Sequence, residues 1–250
     1  MEIIRHKYDV WGEEVILGVS WDLLWVVVVA ILILLAGHAI VMAALAKKKA
    51  RPSVDGKRIN RHDMIDRAFH WIMAASVLVL IFTGAAPIVG LRFAWLEIHW
   101  IAGLILTFVV IFHTIRALFW QDFKSMLLGP RDFTEPFDES NKPGKYSFEQ
   151  KGMHWAMTVL VIGVIATGVI LMLNISTPFW DRPSVDNEAQ LGLMFLLHGL
   201  ATLSLIAFTA IHIYFALRPE KRFYTRSMVK GWISEAEMKE NHDTNRWKVL

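Results

Sequence analysis

The chain of 250 residues is 55% hydrophobic with a mean hydropathy of +0.41, a composition that excludes an ordinary water-soluble domain. It contains no cysteine, which excludes disulfides, thiolate metal sites, iron–sulfur clusters and covalently attached c-type heme. The net charge of +3 comes from basic clusters set between charge-free runs, a pattern that membrane topology explains without nucleic acid.

Residues 1–22 are too polar, and lack the basic-then-apolar order, for a cleavable leader; the first apolar run is expected to act as the insertion signal. Five runs free of Asp, Glu, Lys and Arg follow: 23–46, 68–90, 98–115, 152–180 and 191–217. An apolar run of about 20 residues spans a bilayer as a helix. The third run is short and is expected to continue through Arg116 to Trp120, and the fourth to leave the membrane near Asn174. Nothing resembles the alternating strands of a membrane barrel. The 130–146 stretch, PRDFTEPFDESNKPGKY, reads as a polar loop, and the chain after Trp232 as a short surface helix.

Of the 26 Lys and Arg residues, 22 fall in the 47–67 connection, the 116–151 region and the 218–250 tail. The positive-inside bias therefore predicts an outer N-terminus and a cytoplasmic C-terminus. The expected fold is all-α, an integral membrane bundle of five transmembrane helices. Residues 1–22 form an outer, periplasmic segment and 23–46 the first helix. A basic connection at 47–67 leads to a four-helix region at 68–217, and 218–250 form a cytoplasmic tail.

Ten histidines are present, most of them inside the apolar runs. A single intramembrane histidine is often only hydrogen-bonded to a neighbouring helix, but several at matched depths point to a functional site. On the predicted topology His99 and His198 are the only outer-half histidines in the spans, a pair by elimination. His212 follows His198 by fourteen residues, a rise of about 21 Å and nearly four whole turns, so both rings point the same way. Helix five can thus present a ligand to each of two hemes. The inner partner of His212 is open among His38, His70, His113 and His154; His113 repeats the fourteen-residue spacing from His99 and makes a symmetric alternative. Gly84, Gly103, Gly163, Gly168 and Gly199 allow close approach of a flat group or, equally, ordinary helix packing.

The motifs MIDRAFHW around His70, EIHWIAG around His99, GKYSFEQKGMHW before the fourth span, LLHGLA around His198, IHIYFAL around His212 and SMVKGW after the fifth resemble a known family. It is the diheme cytochrome b (gamma) subunits of periplasm-facing formate dehydrogenases and thiosulfate reductases, related to hydrogenase cytochromes b. The match covers about residues 60–235, and the extra first helix looks most like the thiosulfate reductase type. The resemblance implies two non-covalent hemes b, the outer on His99 and His198 and the inner on His70 and His212; the spacing alone leaves His113 as the alternative inner ligand. It also implies a quinone, menaquinone or ubiquinone, near Tyr146, Ser147, Gln150, Lys151 and His154, although Ser147 stands where the family often has Asn. Expected partners are an iron–sulfur subunit and a molybdenum or tungsten catalytic subunit on the periplasmic face of the bacterial inner membrane, in an assembly that can hold more than one copy. The substrate-converting site would lie on another chain. Two other classes remain: a stand-alone diheme cytochrome b that reduces a soluble acceptor, and a non-redox transporter or anchor.

Overall fold

The computed structural model describes residues 3–9, 11–45, 54, 56–138, 140–182 and 188–247. The start of the basic connection, including its lysine run at 47–49, residues 183–187 between the fourth and fifth apolar runs and the final three residues of the tail lie outside the described residues. Five helices are long and apolar enough to cross a bilayer: α1 (Asp22–Leu45), α2 (Met64–Ala85), α3 (Trp95–Trp120), α4 (Phe148–Met172) and α5 (Glu188–Leu217). The shortest, α2, has 22 residues. At a rise of about 1.5 Å per residue that is about 33 Å, enough for a hydrocarbon core of about 30 Å.

Local chemistry sets the ends of these helices. The α2 helix starts four residues before its charge-free run because the Asp63 carboxylate caps it, accepting from the Asp66 N–H at 2.7 Å. It stops at Ala85, two residues before Pro87. The α3 helix does continue through Arg116 to Trp120. The α4 helix opens on a reciprocal capping box: Ser147 Oγ accepts from the Gln150 N–H (3.3 Å) and Gln150 Oε1 accepts from the Ser147 N–H (3.2 Å). It ends at Met172, close to the expected exit at Asn174. In α1 only Leu24 is buried, so this helix exposes apolar side chains all round, as a lipid-facing helix does.

The chain forms two compact units. The first comprises Met1–Val41, Ser76–Thr107 and Ala156–Ile211. Residues 1–22 were expected only as an outer segment, yet within this unit they build an antiparallel hairpin of β1 (Ile4–Tyr8) and β2 (Glu14–Val19). The hairpin lies against the start of α5, where two glycines make room for it. A Cβ at Gly192 would meet the Ile16 carbonyl oxygen at 1.9 Å, and one at Gly199 would meet Val19 Cγ2 at 2.8 Å. Seven residues apart, these positions share one face of α5. Gly199 therefore serves the hairpin rather than a flat cofactor. Lys7 adds an ion pair to Glu188 at 3.0 Å.

The second unit comprises Met42–Ala75, Phe108–Trp155 and His212–Leu250. Here the tail is not a surface helix alone. It folds as α6 (Arg222–Lys230), β4 (Trp232–Ser234) and α7 (Glu235–Asn241), and β4 pairs antiparallel with β3 (Arg58–Asn60) from the basic connection. Ile59, Phe223, Ile233, Met238 and Trp247 make a small apolar core. Gly231 ends α6 at φ +89°, a left-handed conformation that suits glycine, and its carbonyl accepts from the N–H groups of Arg61 (2.8 Å) and His62 (3.1 Å). Trp71 Nε1–H donates to the Met228 carbonyl at 3.0 Å, tying α2 to α6.

Two buried polar networks fasten the tail to described residues of the segment between α3 and α4 and to the first turn of α4. The Asp132 carboxylate, 1% exposed, accepts from Lys151 Nζ (2.8 Å) and Arg246 (3.1 Å), and Glu135 takes a second Arg246 nitrogen (3.2 Å). Burial alone would raise the Asp132 pKa, but the hydrogen bonds from Lys151 and the Gly129 N–H outweigh it and hold the carboxyl below its ordinary range. In the second network Arg61, 3% exposed, donates to the Lys145 carbonyl (2.6 Å) and Gln150 Oε1 (3.3 Å), with Tyr146, Tyr224 and Trp247 packed on its guanidinium. His242 Nδ1–H donates to the Gly144 carbonyl (2.6 Å), which leaves Nε2 to accept from Arg61 (3.0 Å). Burial, then the Arg61 charge, push the His242 pKa down to about 4.

Two outcomes follow. Gly192→Ala forces the hairpin off α5, because the clash is with backbone rather than a flexible side chain; cleavage of residues 3–19 by protease in detergent rises at least several-fold, and unchanged cleavage would contradict the docking. His242 is held neutral with a folded-state pKa below its ordinary 6.5, so the stability it contributes is complete above about pH 6.5 and is lost as pH falls towards 4. Limited proteolysis of the tail, scaled to an unstructured reference substrate, accelerates across that window, and His242→Phe removes the dependence.

Candidate heme-binding histidine pairs

Six intramembrane histidines come together as three facing pairs. In the first unit the rings of His99 on α3 and His198 on α5 have centroids 6.3 Å apart. In the second unit His70 on α2 faces His212 on α5 at 6.2 Å, and His113 on α3 faces His154 on α4 at 6.3 Å. The α5 helix thus supplies one ring to each of two pairs. His113 packs against Phe69 and His154, and His212 has His70 as its ring neighbour, so the symmetric His113/His212 pairing is not the arrangement of the side chains. His38, the remaining intramembrane histidine, sits half-buried on α1.

The surroundings of His99 and His198 are near copies of one another. Each ring lies over a Thr–Gly dipeptide of a neighbouring helix, Thr83–Gly84 of α2 for His99 and Thr167–Gly168 of α4 for His198. The threonine hydroxyl is 2.8 Å from the ring Nδ1 in both cases. The glycine faces the ring Cε1, where an added Cβ would stand at 3.6 Å (Gly84) or 3.3 Å (Gly168). Two of the glycines noted in the sequence thus make room for histidine rings. Gly163 faces Ala201, and Gly103 faces Leu80 only at the limit of contact.

Residues 61–231 match the family described as prokaryotic cytochrome b561. The chain belongs to that family. It is also 26% identical over 208 residues to the cytochrome b556(fdo) subunit of formate dehydrogenase from Escherichia coli, a match covering 76% of this chain and 91% of that protein. The formate dehydrogenase cytochrome b556 subunit of Haemophilus influenzae is 24% identical over 208 residues, covering 76% and 82%. A member of the cytochrome b561 family holds heme b and, with five apolar helices, is a multi-pass protein of the bacterial inner membrane. The N-terminal hairpin, α1 and the α7 end of the tail lie outside the matched residues.

The histidine pairs suit such a group. His99 with His198, and His70 with His212, are the imidazoles that would hold the iron of such groups, which would supply one-electron chemistry there. Among the described residues no group of three or more His, Cys, Asp or Glu could cage a metal by itself.

The five residues expected near a quinone are all in the second unit, and each of them already has partners there. Gln150 Oε1 is shared between its capping box and Arg61, and Lys151 Nζ bonds Asp132 and the Leu127 carbonyl (3.0 Å). Ser147 is the cap of α4, and Tyr146 stacks with Arg61, Lys145 and His62. His154 lies between His113 and Trp155, whose indole N–H donates to the Met126 carbonyl at 2.9 Å. Sequence reasoning passed over Thr83, Thr167, Arg61, His62 and His242. The repeated Thr–Gly dipeptide inside two apolar runs was a usable signal for the first two. Burial, then the charge of Arg61, push the His62 pKa down to about 3, so this ring stays neutral beside the guanidinium.

The glycine geometry separates two otherwise similar substitutions. Gly168→Ala must displace the His198 ring by a few tenths of an ångström, whereas Gly84→Ala adds only an ordinary contact to His99. The reduced-minus-oxidised spectrum of the purified protein therefore shifts or loses amplitude in Gly168→Ala and stays near wild type in Gly84→Ala. Equal behaviour of the two would contradict this packing.

Proposed function

We propose that the chain is the diheme cytochrome b subunit of a formate dehydrogenase-like complex, carrying electrons between a periplasmic iron–sulfur and molybdenum or tungsten enzyme and the membrane quinone pool. The observation that carries this reading is the sharing of α5 between two histidine pairs, His99/His198 and His70/His212, at 6.3 and 6.2 Å. The relatives named formate dehydrogenase cytochrome subunits, matched over most of their length, favour formate over thiosulfate as the partner enzyme's substrate.

In this reading His99 and His198 hold the outer heme b, and His70 and His212 the inner one. Heme b supplies one-electron chemistry, and the protein supplies position and electrostatics. The apolar helices keep water from the imidazoles and hold each ring at its partner. The basic clusters favour a cytoplasmic side for the second unit's loops and tail, beside which quinone would exchange electrons and protons. Tyr146 and Gln150 shape that end, anchored through Arg61, while His113 and His154 are positioned to pass protons between α3 and α4.

Pyridine hemochrome quantification on the purified protein tests the assignment. Wild type carries about two hemes b per chain. His70→Ala drops to about one and His113→Ala stays at two. The reverse pattern would move the inner ligand to α3, and a colourless wild type would leave a proton-linked transporter or anchor as the better account. Purification without large subunits, together with rapid reduction of a soluble acceptor, would favour the stand-alone cytochrome.

A further inference from the structure

The proton count around His99 and His198 can be closed. Thr83 Oγ1 lies 2.7 Å from the Val79 carbonyl oxygen and 2.8 Å from His99 Nδ1. Thr167 Oγ1 lies 2.7 Å from the Gly163 carbonyl oxygen and 2.8 Å from His198 Nδ1. A hydroxyl has one proton, and a carbonyl oxygen can only accept, so each threonine spends that proton on its own helix. Each hydroxyl then accepts from Nδ1–H of the histidine, and the His198 ring has the Val164 backbone carbonyl as a further acceptor. Both rings are thereby set as the tautomer with its proton on Nδ1, and Nε2 keeps its lone pair.

The His70/His212 pair lacks this arrangement. His70 Nδ1 is buried with no hydrogen-bond partner, and so is the hydroxyl of Thr209, one turn before His212. An imidazole whose second nitrogen donates a hydrogen bond is a stronger donor to a metal, and a chain of N–H to O–H to O=C polarises each link further. A stronger donor favours the oxidised iron, and axial electronics are one of the means by which a protein sets heme potential.

We propose that Thr83 and Thr167 are positioning residues that fix the tautomer of both His99 and His198 and lower the reduction potential of the heme held there. This rests on the assignment of His99 and His198 as ligands. Without the two hydroxyls the potential at this pair rises; with them, electrons are biased to leave it for the pair at His70 and His212, the direction of quinone reduction.

The test is a potentiometric titration of the purified complex carrying threonine replaced by Ser, Cys or Val at position 83 or 167. Serine keeps the acceptor, cysteine weakens it and valine removes it at nearly constant volume. Heme content is expected to stay at the wild-type value. One midpoint rises in the order Ser, Cys, Val, with serine at wild type. The reduction equilibrium shifts several-fold for each valine and about tenfold for both together, which is about 59 mV for one electron. One midpoint common to the whole series, or serine behaving as valine, would overturn the proposal. Should valine cost the heme itself, the comparison of cysteine with serine decides in the same way. His99→Ala and His198→Ala are measured beside these variants. Retention of both hemes in them would refute the ligand assignment whatever the threonine series does, whereas loss of one heme in them with an unmoved threonine series refutes the threonine role alone.

Discussion

An imidazole inside a hydrocarbon layer must find a polar partner or a metal, because lipid offers neither. That requirement organises this protein. Six histidines lie on four helices, and within each unit every ring meets another at 6.2 to 6.3 Å. At His99 and His198 a glycine and a threonine hydroxyl fill the space beside each ring. Beside the rings, the Arg116 guanidinium of α3 ties this helix to the start of α2 through hydrogen bonds to Asp66 (3.1 Å) and Asp63.

The charged ends of the second unit are built on a different principle. Among the described residues, Arg61 has no carboxylate among its hydrogen-bond and ring partners, and is held by carbonyl, amide, imidazole and aromatic faces. A guanidinium is weakly hydrated and stacks well on rings, which is why arginine rather than lysine suits this place. Asp132 takes the opposite solution, a buried carboxylate between Lys151 and Arg246. Removing one partner of such a pair is strongly destabilising, on the order of 3 kcal/mol or more, because a buried charge is left alone. Through these two networks the tail, which continues past the matched family residues, is joined to the segment that opens α4.

The two ring pairs served by α5 differ in their surroundings. One pair has both outer nitrogens engaged by hydroxyls; the other has a buried ring nitrogen with no hydrogen bond. A pair of otherwise equivalent ligands can in this way hold hemes of different potential, without any change of axial residue. In a subunit proposed to pass electrons in one direction, such asymmetry is the expected means of setting that direction.

The sequence by itself determined the five spans, because 20 apolar residues have no other stable place, and the absence of cysteine removed whole classes of chemistry. It also placed His198 and His212 on one face of α5, since fourteen residues are nearly four turns. Helix starts at Met64 and Phe148 were hidden in charged stretches, where Asp63 and the Ser147–Gln150 box could have signalled them. Which ring faces His212 was not legible: His38, His70, His113 and His154 were all admissible by depth, and only the packing of α2 beside α5 set His70 there. The N-terminal hairpin was equally invisible, because its strands are short, mixed in polarity and stable only against the glycine face of α5 at Gly192 and Gly199. Helical spans follow from local composition and hydrogen bonding within each segment; pairings between segments depend on contacts that no single stretch of chain contains.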